Sequence, residues 1–172
     1  MEPEEEGSRA SFQDVSIDDF PVTVVLSENG WIRSYKGHSL DKNSFKFRDG
    51  DGLKFAAQLS RSQQLLFITS EGRSFSLSLD QLKKDKGYGE PLNLIIGTGN
   101  VTSIVSIIPF NHGTKGLIFS KKGLGFLVDF SSLQSSTKTG KQIFELSEGD
   151  KVIGLKEING DNVIVLSSSF KM

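Results

Sequence analysis

An apolar run, a short polar turn closed by glycine and a second apolar run recur three times in this chain. The copies are Val22–Tyr35 (VTVVLSENGWIRSY), Leu65–Leu79 (LLFITSEGRSFSLSL) and Gly116–Phe130 (GLIFSKKGLGFLVDF). The turn glycines Gly30, Gly72 and Gly123 are spaced by 42 and 51 residues. A fourth run, Asn162–Met172 (NVIVLSSSFKM), begins the same unit. A unit of this length cannot bury its own apolar face and must stack on its neighbours, which is the logic of propeller-like and solenoid arrays. The expected fold is therefore all-β, with three complete repeats and a truncated fourth. The open edge left by the fourth run points to a longer parent protein, or else to pairing with another chain.

The rest of the chain fits that class. At 172 residues and 36% hydrophobic content, it holds enough apolar material for a packed core. No apolar run is long enough to span a membrane, and the acidic N-terminus lacks the apolar region of a secretory signal. Without cysteine there are no disulfides and no thiolate metal sites, and a reducing cytoplasm is compatible. Residues 1–20 hold seven acids against Arg9, a net −6, so residues 21–172 carry +5. That split divides the chain into an acidic linker, 1–20, and a moderately basic repeat body, 21–172, of the kind that meets a polyanion.

Short runs rich in Val, Ile, Phe and Leu, broken by Gly, Asn, Asp and Ser, predict the strands. Beyond the hairpins these are Leu53–Leu59, Leu92–Ile96, Val101–Ile108, Ile143–Leu146 and Lys151–Ile158. Only Leu79–Lys86 suits a short helix or turn. Asn29-Gly30 reads as a two-residue hairpin turn, since both residues tolerate positive φ. Phe12–Phe20 is expected to pack on the first repeat. Trp31 and the phenylalanines at 45, 47, 55, 67, 75, 119, 126 and 130 read as core.

No catalytic constellation emerges. His38 and His112 are the only histidines, and without cysteine or clustered carboxylates they make neither a zinc site nor a triad. Thr139-Gly140-Lys141 looks like the end of a P-loop, but Ser135 stands where the earlier glycine is required and Gln142 follows the lysine. Asp49-Gly50-Asp51-Gly52 departs from the EF-hand spacing and reads as a tight turn. No catalytic residue, metal ligand or cofactor is expected in the chain.

Basic residues do recur with the repeats. Arg33, Lys36 and His38 follow the first hairpin; Arg73, Lys83, Lys84 and Lys86 follow the second. The third carries Lys121 and Lys122 in its turn, then Lys138 and Lys141. Each unit thus ends in a lysine- and glycine-containing loop. Stacked units would align these loops along one rim suited to a bent phosphate backbone, with glycines allowing close approach of the main chain. Lysine and glycine are also what ordinary exposed loops contain, so a propeller-like protein-interaction module is the alternative.

Pro21–His38 (PVTVVLSENGWIRSYKGH) resembles the opening blade of the C-terminal domain of the bacterial topoisomerase IV A subunit, a relative of the gyrase A subunit. The resemblance continues through Phe55-Ala56-Ala57, Ser70–Ser74, Gly87-Tyr88-Gly89-Glu90-Pro91-Leu92, Gly123–Phe126 and Thr139-Gly140-Lys141. It implies a β-pinwheel: a disc of four-stranded blades that exchange strands, with duplex DNA bent around a basic rim. It further implies a monomeric, non-catalytic accessory domain in the bacterial cytoplasm, near the nucleoid. Its partners would be duplex DNA and the rest of topoisomerase IV, namely the A-subunit core and the ATPase B subunit. ATP and magnesium would be used elsewhere in that parent enzyme, and the domain would bias it towards decatenation and relaxation. The gyrase-type Gln-Arg-Arg-Gly-Gly-Lys-Gly box has no match, which favours topoisomerase IV and argues against a strong chiral wrap.

Overall fold

The computed structural model describes residues 19–38, 41–82, 87–98 and 103–159. Residues 1–18, most of the acidic linker, and the fourth run lie outside the described residues. Strand β1 (Pro21–Ser27) turns into β2 (Trp31–Lys36), and β3 (Leu53–Ser60) returns along the other side of β1. The second unit is the hairpin β4 (Gln64–Thr69) and β5 (Arg73–Ser78). After it come a short strand β6 (Glu90–Pro91), a helical turn α1 (Leu92–Ile96) and β7 (Ile104–Pro109). The third hairpin joins β8 (Lys115–Ser120) to β9 (Gly125–Asp129). A turn of helix α2 (Phe130–Leu133), the short strand β10 (Lys141–Gln142) and β11 (Val152–Glu157) follow.

All pairings are antiparallel, in three sheets ordered β3-β1-β2-β6, β10-β5-β4-β7 and β11-β8-β9. Each hairpin gains a strand on its first member from its own repeat. On its second member, the first two hairpins gain a short strand sent back from the following repeat. Strand exchange of this kind is what the pinwheel expectation requires. The third sheet holds three strands among the described residues, so the expected third four-stranded repeat is not complete there.

Stacking follows from the two-residue period of a strand. Along β4, Leu65 and Phe67 join a core with Val22, Val24, Leu26 and Ile32 of the first sheet. The intervening Leu66 and Ile68 join a second core with Ile118, Phe130 and Leu155. One strand therefore serves two interfaces, which is why Gln64–Thr69 reads as nearly continuous apolar sequence.

Several expectations change. Leu92–Ile96 is helical, with Leu92 and Ile96 buried one turn apart and Gly97 closing it at φ 64°. Ile143–Leu146 is irregular; the Ile143 and Phe144 amides both donate to the Gly72 carbonyl. The strand expected at Val101–Ile108 is β7 from Ile104, with residues 101–102 outside the described residues, while the short helix or turn expected in Leu79–Lys86 is present as a 3₁₀ turn at Leu79–Gln81. The first turn is a three-residue loop: the Gly30 amide donates to the Ser27 carbonyl at 3.0 Å, and the β1–β2 register starts at Leu26↔Ile32. Gly72 and Gly123 repeat that bond, to Thr69 and Ser120. Phe126 is exposed rather than core, touching Phe144 edge-on. Of the segment Phe12–Phe20, residues 12–18 lie outside the described residues, and Phe20 packs on the first core.

Candidate nucleic-acid interface

Two of the lysine- and glycine-containing loops, those ending at Gly89 and Gly140, lead into strands that cross to the preceding sheet. Strand β6 pairs with β2 through Ile32↔Glu90 and Trp31↔Pro91; β10 pairs with β5 through Ser74↔Lys141 and Arg73↔Gln142. The residue just before each exchanged strand is a glycine at positive φ, Gly89 at 94° and Gly140 at 73°. A Cβ on Gly140 would lie 2.7 Å from the Ser74 carbonyl oxygen, and one on Gly89 would overlap the carbonyl of Ile32. Backbone meets backbone at both crossings, so no other side chain fits.

Two of the expected phosphate ligands hold these crossings in place. Arg33 is buried; its guanidinium donates to the Gly87 carbonyl at 2.5 Å and stacks 4.0 Å from the Tyr35 ring centroid. Arg73 is half-buried and donates to the Thr139 carbonyl at 2.6 and 3.2 Å, and to Gln142. Each arginine ties the incoming loop to the hairpin it joins. Their positive charge sits beneath the loops rather than at their tips.

The remaining expected cations divide by what occupies them. The exposed Lys141 donates to the Ser132 carbonyl at 2.8 Å, and Lys122 to the carbonyl of Glu148. His38 is exposed, with a ring nitrogen 2.8 Å from the Leu59 carbonyl. The Lys36 ammonium lies 5.5 Å from the Phe20 ring. Lys121 and Lys138 are exposed, and neither ammonium has a partner among the described residues. Lys83, Lys84 and Lys86 fall outside the described residues. Beside Lys138 runs a groove of about 580 Å³, lined by polar groups that include Gln64, Ser76, Gln134 and Ser135.

Two aspartates fix the turns themselves. Asp150 accepts from the Ser120 hydroxyl and from the amides of Lys122 and Lys151. Burial pushes its pKa up, but these bonds and the nearby Lys122 charge outweigh it and hold the carboxyl below its ordinary value. Asp51 occupies the same place in the first repeat, accepting from the amides of Asn29 and Gly52. There too burial is outweighed, by the Ser27 hydroxyl and surrounding amides, and the pKa is lowered. The Asp49–Gly52 segment thus uses its carboxylate to cap a hairpin. Among the exposed cations that sequence reasoning passed over is Arg48, whose guanidinium lies 3.7 Å from the Trp31 ring centroid.

Residues 63–88 and 117–159, which contain the second hairpin and all but the first two residues of the third, match the family model described as the DNA gyrase C-terminal domain, beta-propeller. The solved C-terminal domain of ParC from E. coli superposes with a TM-score of 0.73 at 31% identity, covering 82% of this chain and 58% of that one. The chain resembles gyrase A C-terminal domains in sequence and fold. Proteins named as the A subunit of DNA topoisomerase 4 are similar along most of its length. The Rickettsia conorii protein is 36% identical over 152 residues and that of Caulobacter vibrioides 34%, each covering 88% of this chain. The E. coli protein is 32% identical over 155 residues. This chain spans about 20% of the length of the Rickettsia and Caulobacter relatives. A crystal structure of a topoisomerase IV C-terminal domain, at 17% identity and TM-score 0.69, shares the fold. Among the described residues no helix is long and apolar enough to cross a membrane.

Proposed function

We propose that this domain binds duplex DNA without sequence preference, as the accessory C-terminal domain of a topoisomerase IV A-type subunit. The observation that carries the reading is the similarity to topoisomerase 4 A subunits along 88% of the chain. The crossing loops support it. They are rigidly anchored by Arg33 and Arg73, glycine-led, and carry lysines such as Lys138 that are exposed and without a described partner. Phosphate contacts from such loops position DNA without reading bases, and among the described residues no element offers a recognition helix.

In this reading Lys36, His38, Lys83, Lys84, Lys86, Lys121, Lys122, Lys138 and Lys141 face the phosphates, while Arg33 and Arg73 shape the loops that present them. The domain bends the DNA on a basic rim and biases the parent enzyme towards decatenation and relaxation. It works as a monomeric unit with the A-subunit core and the ATPase B subunit in a bacterial cytoplasm. Strand cleavage, ATP and magnesium belong to those other parts. A protein-interaction role is the second reading, favoured by Leu127 and Ile153, exposed on the third sheet, and Leu124, exposed in its hairpin turn.

The deciding experiment is binding of a fluorescent mixed-sequence duplex across a salt series. Affinity should fall steeply with salt and be indifferent to sequence. The K83A/K84A/K86A triple variant and the K121A/K138A double variant should both flatten the slope, by about one for each phosphate that is no longer neutralised. No binding by the unaltered chain at low salt would transfer the case to the protein-interaction reading.

A further inference from the structure

We propose that Arg48, stacked on Trp31 beside Tyr88, is a preorganised phosphate contact for duplex DNA on the first sheet; the proposal rests on the DNA-binding reading above. Periodicity hides this residue. The Asp51 amide closes a turn on the Arg48 carbonyl at 3.0 Å, just as the Asp150 amide closes one on Ser147. The third-repeat counterpart of Arg48 is therefore a serine, and no recurrence in the sequence marks the position.

Geometry sets Arg48 apart from the other arginines of the interface. Arg33 and Arg73 direct their N–H groups at main-chain carbonyls. Arg48 is exposed, and its guanidinium has no hydrogen bond or ion pair among the described residues. Its guanidinium lies 3.7 Å from the Trp31 centroid and 5.6 Å from that of Tyr88. Stacking engages the face of the guanidinium and leaves its N–H fork at the edge, free for a bidentate oxyanion. Both rings are themselves held. The Trp31 amide donates to the Ser27 hydroxyl oxygen and Trp31 pairs with Pro91, while Tyr88 sits on the turn that Arg33 ties down. A cation fixed before the ligand arrives loses less rotamer entropy on binding than a free lysine does.

The location agrees with the proposed interface. Tyr88 lies two residues after Lys86, and the exposed Lys46 stands two residues before Arg48. Asp49, the next residue, is exposed, and the exposed Glu28 brings its carboxylate beside Gly52; both lower the local potential. Arg48 therefore supplies one directed contact rather than a broad basic patch.

The test is the duplex salt series with R48A, R48K, Y88A and the K121A/K138A reference, all at a temperature where circular dichroism shows each variant folded. R48A should reduce the slope by about 0.9, which amounts to a roughly eightfold weaker affinity at 0.1 M salt. R48K should restore the slope but only part of the affinity, because a point charge replaces the fork. Y88A should weaken binding and leave the slope unchanged. An unchanged slope in R48A, with K121A/K138A flattened, would overturn the proposal and leave the lysine loops standing. A slope reduced in R48A and not recovered in R48K would also overturn it, marking Arg48 as a structural pin. Absence of binding by the unaltered protein would remove the DNA reading and this proposal together.

Discussion

At the scale of single residues, the fold turns on positions where backbone meets backbone. Gly123 and Gly140 both sit at positive φ, but nothing lies within 4 Å of a Cβ built on Gly123, whereas one on Gly140 meets Ser74 and Phe75. Gly123→Ala should therefore cost only the left-handed backbone, about 1–2 kcal/mol. Gly140→Ala should cost more and release β10 from β5, read as faster amide exchange at Ser74 relative to Gly123→Ala. The turn aspartates give a pH test. A carboxyl whose folded pKa is depressed contributes stability above its unfolded value and loses it as pH falls through the folded one. Asp51→Asn and Asp150→Asn should thus melt lower than the unaltered chain at pH 7, with the gap closing as pH drops below the ordinary value of 3.8. A gap that persists at pH 2 would mean that these carboxylates act through something other than their charge. The turn glycines were legible in the sequence because their spacing repeats. The aspartate caps were not, because their partners are amides 22 and 28 residues away.

At the scale of elements, β4 shows why the repeat is also the unit of stability. Its alternating side chains enter two different cores, so one substitution loosens one interface and spares the other. Phe67 is fully buried against the first sheet, and Phe67→Ala should destabilise by roughly 3–5 kcal/mol. Hydrogen exchange should locate the loss in β1 and β2 before β8, and uniform loss across the three sheets would contradict the two-core packing. Strand hairpins were readable from apolar runs bounded by glycine turns. The run Leu92–Ile96 was misread because five apolar-rich residues cannot separate a two-residue period from a helical one. The burial of Leu92 and Ile96 and the αL cap at Gly97 decide it, and only the fold supplies both. Exchange of β6 and β10 was likewise invisible to periodicity, since each is two residues long.

For the whole molecule, the decisive quantity is how charge is divided. The sequence places −6 in residues 1–20 and +5 in residues 21–172, while the formal net charge of −1 conceals both. If the body meets DNA through phosphate contacts, the acidic stretch competes for the same cations, and the competition must obey the same screening. The Debye length is about 10 Å at 0.1 M salt and about 3 Å at 1 M. Changing Glu2, Glu4, Glu5 and Glu6 to Gln removes four negative charges and leaves the packed contacts of Phe20 untouched. Duplex affinity should then rise at low salt, chiefly through a faster association rate, and converge on that of the unaltered chain as salt approaches 1 M. The Lys83/Lys84/Lys86 triple variant should show a smaller gain from the same four changes, because fewer cations remain to be unmasked. An equal gain at every salt concentration would place the effect in a specific contact and not in the field of the leader. No gain at any salt would separate the acidic stretch from the binding surface altogether.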